Sequence, residues 1–334
     1  MRSRRSWLAL AAAGGGIYAL RQVKHSIPPR DTAAEERFRR LQDDLLAKSG
    51  VRADSRYVTL SAPAVRTHVI TAGAGEPVVL FHGGSSVAAS WIPLLANLAG
   101  RFRVYAPDRP GCGLTDKFNY LGVAMREHAV AFVGGVMDGL GLERAALAGN
   151  SMGGYFALVF ALAQPERVTR LALLGEPAGS APKIRWTHRL IGTRGVNGLL
   201  YSTVMKPGPE ATRRTFERLL VADIRRVNQP YLDCMSAAAE IPGAVESWIT
   251  MVENSSSWTG ASKLTYTLRP ELGRLHQPAL VLWGDKDSFG PPSLGAEMAR
   301  LMPSARLEVL PGAGHLPWVD QPERTAELLA AFLG

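Results

Sequence analysis

Apolar and polar positions along the chain change period several times, and those changes mark out its elements. "YVTL" (57–60) and "VRTHVITA" (65–72) come close together and read as an opening antiparallel pair. Short apolar runs follow at 77–81, 102–108, 145–150 and 170–176, and again, after a long gap, at 279–285 and 306–312. Between most of them the apolar residues recur at helical spacing, around 91–98, 125–140, 151–163, 294–301 and 322–332. Strands alternating with helices imply βαβ crossovers and a mainly parallel sheet covered on both faces. Runs such as "PVVLF" and "ALVLW" are nearly continuous in hydrophobicity, as strands buried on both faces must be.

Two stretches depart from this rhythm. From 177 to 277 the pattern is helical and irregular, with Trp186, Tyr201, Phe216, Tyr231, Trp248, Trp258 and Tyr266 dispersed through it, which predicts a helical cap inserted between two strands. Ahead of the sheet, "TAAEERFRRLQDDLLAKSG" places Phe38, Leu41, Leu45 and Leu46 on one helical face, with Gly50 as a stop. The expected organisation is thus an N-terminal segment 1–26, a linker with an amphipathic helix 27–56, a core of 57–176 and 278–334, and a cap 177–277.

Segment 1–26 has an uncharged run from Ser6 to Leu20 between Arg5 and Arg21. That length suits a signal h-region better than a membrane span of about 20 residues. "SRRSWL" resembles a twin-arginine export pattern, but "RQVKHSIPPR" offers no convincing cleavage site. The expectation is membrane anchoring or export through this segment; a tail on a cytoplasmic protein is the alternative.

Charge adds a limit. The net charge is +9, and the first 50 residues, with ten Lys/Arg against five Asp/Glu, supply more than half of it. The remaining basic residues are spread without aromatic interleaving, so nucleic acid is not an expected partner. Two cysteines, Cys112 and Cys234, are too few for a disulfide framework and lack metal-ligand spacing. Neither metal nor organic cofactor is expected.

Candidate chemistry gathers where strands end, because ligands in open α/β sheets sit outside the carboxyl ends of the strands. "GNSMGG" (149–154) puts Ser151 between glycines where a strand-like run turns into a helix-like one, the context a nucleophile elbow requires. A serine hydroxyl needs a base to take its proton, and His315, in the small-residue loop "GAGHLP", is the best-placed histidine. The base needs a carboxylate to hold its tautomer. Asp287 in "WGDKDSF" is the expected acid, Asp285 beside it holding the turn, and Glu176 after "RLALLG" is the alternative. Backbone N–H groups of Met152, which follows the serine, and of Gly84 in the "HGG" loop, with Ser85 next to it, are the expected oxyanion donors.

"HGG", "DRPGCG", "GNSMGG", "WGDKD" and "GHLPWVDQPE" occur in that order over roughly 57–334, and with them the chain resembles the α/β-hydrolase fold superfamily. The resemblance implies an eight-stranded, mostly parallel sheet with the cap after strand 6, and a serine hydrolase with Ser151, Asp287 and His315 as nucleophile, acid and base. "GNSMGG" also resembles the elbow of meta-cleavage-product hydrolases, which break a C–C bond. Those enzymes commonly carry tryptophan directly after the base, where this chain has Leu316, and a cap arginine for the substrate's acid group. The expected activity is therefore hydrolysis of a small carboxylic ester, with C–C hydrolysis or non-catalytic binding on the same scaffold as alternatives.

Overall fold

The computed structural model describes residues 32–180, 186–255 and 268–334. Eight strands form one sheet: β1 (Ala53–Ser61), β2 (Ala64–Ala72), β3 (Glu76–Phe81), β4 (Phe102–Pro107), β5 (Ala145–Gly149), β6 (Val168–Leu174), β7 (Ala279–Gly284) and β8 (Ala305–Leu310), in the order β1-β2-β4-β3-β5-β6-β7-β8. Only β1–β2 and β2–β4 pair antiparallel. The expected sheet and its opening antiparallel pair are both present. β1 opens at Ala53, ahead of Tyr57, because exposed polar residues at its start hide the strand period.

Strand side chains alternate between faces, so each buried strand feeds two cores. Val78 and Leu80, Ala172 and Leu174, and Leu280 and Leu282 join one buried cluster with α2 (Ile92–Leu98) and the last helix, α11 (Pro322–Leu333). Val79 and Phe81, Leu171 and Leu173, and Val281 and Trp283 join the other, with α3 (Met125–Gly139), α4 (Met152–Ala163) and α10 (Pro292–Leu301). The amphipathic helix α1 (Ala33–Lys48) starts at a Thr32–Glu35 capping box and buries Phe38, Leu45 and Leu46 in the first cluster. It packs beside α8 (Gln229–Ala239), with Arg37 donating to Glu240 at 2.6 Å.

Between β6 and β7 the described residues are helical: α5 (Trp186–Ile191), α6 (Val196–Ser202), α7 (Pro209–Thr215), α8 and α9 (Ala244–Ser255). α9 lies on loops at the carboxyl end of the sheet. The Ser247 hydroxyl accepts from Phe118 N at 3.2 Å, and the Asn254 amide donates to the Val123 carbonyl at 2.8 Å. Among the described residues, no helix is long and apolar enough to cross a membrane. The N-terminal segment, and with it the expected anchor or export signal, lies outside the described residues, as do Trp258 and Tyr266.

A buried polar staple ties the sheet edge to the loop after β4. Asp108 accepts from His68 Nδ1 at 2.8 Å, Ala88 N at 2.6 Å and Leu114 N at 3.1 Å, while His68 Nε2 meets Ser55 Oγ at 2.6 Å. Burial opposes ionisation of Asp108, but the His68 contact and the Ala88 N–H outweigh it and hold the carboxyl below its ordinary 3.8. The ionised form therefore adds stability at pH values above 3.8, and that contribution disappears as pH falls through the lower folded-state value. Asp108→Asn is expected to cost about 2–3 kcal/mol at pH 7 in denaturant unfolding. The difference from the parent protein should shrink once the pH drops below about 4.

Candidate active site

The β5–α4 junction is tight enough to dictate its residues. A Cβ on Gly149 would strike the Gly153 carbonyl, and one on Gly153 would strike the Phe81 carbonyl at the end of β3. Between them Ser151 adopts φ 51°, ψ −116°, a conformation that a residue with a Cβ holds only where its surroundings enforce it. Its carbonyl accepts from Tyr155 N and Ala178 N at 3.0 and 2.9 Å. The glycines thus make room for a strained turn, and Ser151 occupies its apex.

Asp287 and His315 come together directly. Nδ1 of His315 lies 3.0 and 2.9 Å from the two oxygens of Asp287, and both side chains are almost fully buried. The carboxylate also accepts from Phe289 N at 2.8 Å and Glu176 N at 3.0 Å. Burial pushes the Asp287 carboxyl up, but the imidazole and these two N–H groups prevail and keep it below its ordinary value. The Phe289 ring lies 4.2 Å from the imidazole, closing one side of it. With Nδ1 engaged, Nε2 is the ring nitrogen left for a reactant.

Glu176 contributes its backbone to this arrangement. Its N–H serves Asp287, whereas its carboxylate accepts from Ser180 Oγ at 3.0 Å; the imidazole is on Asp287. Asp285 accepts from Gly312 N at 2.7 Å and so joins the β7 and β8 loops, the turn-holding part expected of it.

The elbow and the histidine loop are joined by one side chain. Asn150, immediately before Ser151, donates to the carbonyls of Leu174 at 2.6 Å and His315 at 3.1 Å. Gly175, at φ 71°, sits against the same loop, and a Cβ there would collide with the His315 carbonyl. From the other side, Asp320 accepts from Gly314 N at 2.8 Å and from Ala222 N at 3.0 Å, clamping the loop to the inserted segment. Burial raises the Asp320 carboxyl despite these donors.

Of the expected oxyanion donors, Met152 directly follows Ser151, and Gly84 follows Gly83, which faces it. Met152 opens α4, and the first N–H groups of a helix have no carbonyl one turn back. On the opposite side, a Cβ on Gly83 would sit 3.3 Å from Ser151 Cβ, and one on Gly84 would run into the Trp248 ring of α9. His82 is a structural hydrogen-bonder: burial and then Arg109 drive its pKa down to about 3, so it stays neutral. Burial does the same to His128, among Phe118, Tyr120 and Phe156.

Sequence reasoning did not single out Asn150, Arg109, Trp248, Phe289 or Asp320. Asn150 sits inside the quoted "GNSMGG", and its place beside the serine was the available signal. Arg109, Phe289 and Asp320 also fall inside quoted motifs and Trp248 among the aromatics of the inserted segment, but nothing local marked their contacts with Gly83, His315, Ala222 and Gly84 respectively.

Residues 76–322 match the family model for the alpha/beta hydrolase fold. The chain belongs to this family. Among its curated hydrolase relatives is a 2-hydroxy-6-oxo-6-phenylhexa-2,4-dienoate hydrolase of Burkholderia cepacia, 30% identical over 304 residues that cover 84% of this chain and 96% of that protein. A 2-hydroxy-6-oxononadienedioate/2-hydroxy-6-oxononatrienedioate hydrolase of Paraburkholderia phymatum is 32% identical over 294 residues, covering 84% and 96%. Among solved structures, carboxylesterase CesB from Bacillus subtilis superposes with a TM-score of 0.72 at 22% identity, covering 90% of this chain and 99% of that one, a likeness of fold alone. A meta-cleavage product hydrolase from Pseudomonas fluorescens superposes at 0.66 with 27% identity, covering 83% and 96%.

For an alpha/beta hydrolase with this arrangement, Asp287→Asn keeps the shape but lets the imidazole take the wrong tautomer. Turnover is expected to fall by on the order of 10²–10⁴, with KM within about threefold, in steady-state assays of folded protein.

Proposed function

We propose that the chain is a serine hydrolase in which Ser151 is the nucleophile, His315 the base and Asp287 its orienting acid, acting on small carboxylic esters. The observation that carries the reading is Ser151, held at positive φ at the head of α4 and linked through Asn150 to the loop of a histidine paired with Asp287.

Ser151 Oγ attacks the ester carbonyl carbon while its proton passes to His315 Nε2. The carbonyl oxygen, now an anion, accepts from the N–H groups of Met152 and Gly84. The C–O bond breaks, and the alcohol leaves with the proton from His315. Water then gives a proton to His315, attacks the acyl-serine and releases the acid, and the proton returns to Ser151. Asp287 stays ionised throughout and stabilises the imidazolium.

The dienoate hydrolases among the relatives favour a second reading, C–C bond hydrolysis. Two features favour the ester. Leu316, buried and donating its N–H to the Leu220 carbonyl, stands where those enzymes commonly have tryptophan. Several arginines in and beside the inserted segment, candidates for the one acid-binding arginine that such a reading needs, are paired with carboxylates: Arg214 with Glu210, Arg225 with Asp223, Arg269 with Glu297 and Arg274 with Glu271.

A fluorophosphonate probe is expected to label the protein at Ser151, and Ser151→Ala to abolish both the label and hydrolysis of p-nitrophenyl butyrate, by at least ~10³-fold. Equal labelling of Ser151→Ala would defeat the reading. Assays with the butyrate ester and with a 2-hydroxy-6-oxodienoate separate the two reactions: higher kcat/KM on the dienoate would replace the ester by the C–C bond.

A further inference from the structure

Arg109 of "DRPGCG" is completely buried, yet its guanidinium forms no ion pair with any described residue. The neighbouring carboxylate, Asp108, is committed to His68 and to backbone N–H groups. A buried cation without a partner is expensive, so its donors should meet strong acceptors. They do so at one place: Nε donates to the His82 carbonyl at 3.0 Å and Nη2 to the Gly83 carbonyl at 2.6 Å. The remaining contacts are with the Met251 sulfur of α9, 3.6 Å from Nη1, and the face of Phe156, 5.5 Å away.

The Gly83 carbonyl receives a second donor. His82 Nε2 accepts the backbone N–H of Arg109 at 2.9 Å, which fixes the neutral ring with its proton on Nδ1, and Nδ1 lies 2.9 Å from the Gly83 oxygen. Two donors, one of them charged, therefore converge on one carbonyl. In a trans peptide the C=O of Gly83 and the N–H of Gly84 belong to the same planar unit and point in opposite directions. Donation to the oxygen draws electrons from the nitrogen and strengthens the N–H as a donor.

We infer that Arg109 is a positioning residue for oxyanion stabilisation: through the Gly83–Gly84 peptide it orients and polarises the Gly84 N–H as a donor. The inference rests on the serine reading above, with Gly84 as donor. It also ties the inserted helix to the chemistry, since Met251 touches the guanidinium while Trp248, one turn earlier on α9, covers Gly84.

The test compares wild-type protein with Arg109→Met and Arg109→Lys. Each preparation is titrated to completion with the fluorophosphonate to count active sites, then assayed on p-nitrophenyl butyrate and with a trifluoromethyl ketone, which forms an oxyanionic adduct on serine. In Arg109→Met, kcat per labelled site should fall about 10–100-fold, with KM changed less than about threefold. The ketone should bind more weakly by the same factor as kcat/KM. Arg109→Lys, which keeps the charge but loses the planar fork, should fall in between, and it carries the test alone should Arg109→Met not fold. Wild-type kcat and ketone affinity per labelled site in the folded variants, or a loss confined to KM, overturns the inference. Failure of the serine reading would instead appear in the wild type, as absence of label at Ser151.

Discussion

Everything at the site depends on how closely α4 approaches the end of β3. Gly153 lets the helix backbone rest against the Phe81 carbonyl, and Gly149 lets the incoming strand pass beneath the first turn. With a side chain at either position the helix would move outward, and the turn could not hold Ser151 at positive φ. The unfavourable backbone conformation is sustained by packing on both sides: α4 is buried along nearly its whole length, and the Ser151 carbonyl is held by Tyr155 and Ala178. The serine's position is thus set by a close backbone contact more than by any contact of its hydroxyl.

Among the described residues a Ser–His–Asp string also occurs away from the elbow, and its contrast with the proposed Ser151, His315 and Asp287 is instructive. Ser55, His68 and Asp108 are joined atom by atom, with a carboxylate satisfied by two backbone N–H groups much as Asp287 is. Ser55, however, lies within an extended edge strand, whereas Ser151 sits at a strained strand–helix turn beside the HGG loop. Side-chain identity and hydrogen-bond order alone do not make a reactive serine. What separates the two is backbone conformation and the loop facing it.

The inserted segment takes part in the same arrangement. α9 reaches Phe118, Gly84 and Arg109 from one face, while Leu220 and Ala222 accept from or donate to the loop that carries His315. The histidine loop is accordingly fixed from three sides, by Asn150, Gly175 and Asp320. Changes in the inserted helices would be felt at both the HGG loop and the imidazole.

Hydrophobic period alone determined the sheet and the order of its elements, because strands buried on both faces and helices buried on one leave different local signatures. The positions of Ser151, Asp287 and His315, the residues proposed for the site, follow a related pattern: each comes after a strand that the hydrophobic period reveals, and the glycines around the first and last mark close backbone approach. Which of Asp287 and Glu176 meets the imidazole is visible only in the fold, where the two lie side by side and the ring is on one carboxylate while the other's backbone supports it. The same holds for Asn150, Arg109, Trp248 and Asp320. Their partners are brought near only when β3, β4, the inserted helices and the last loop assemble, and a contact between segments a hundred residues apart leaves no local trace in either one.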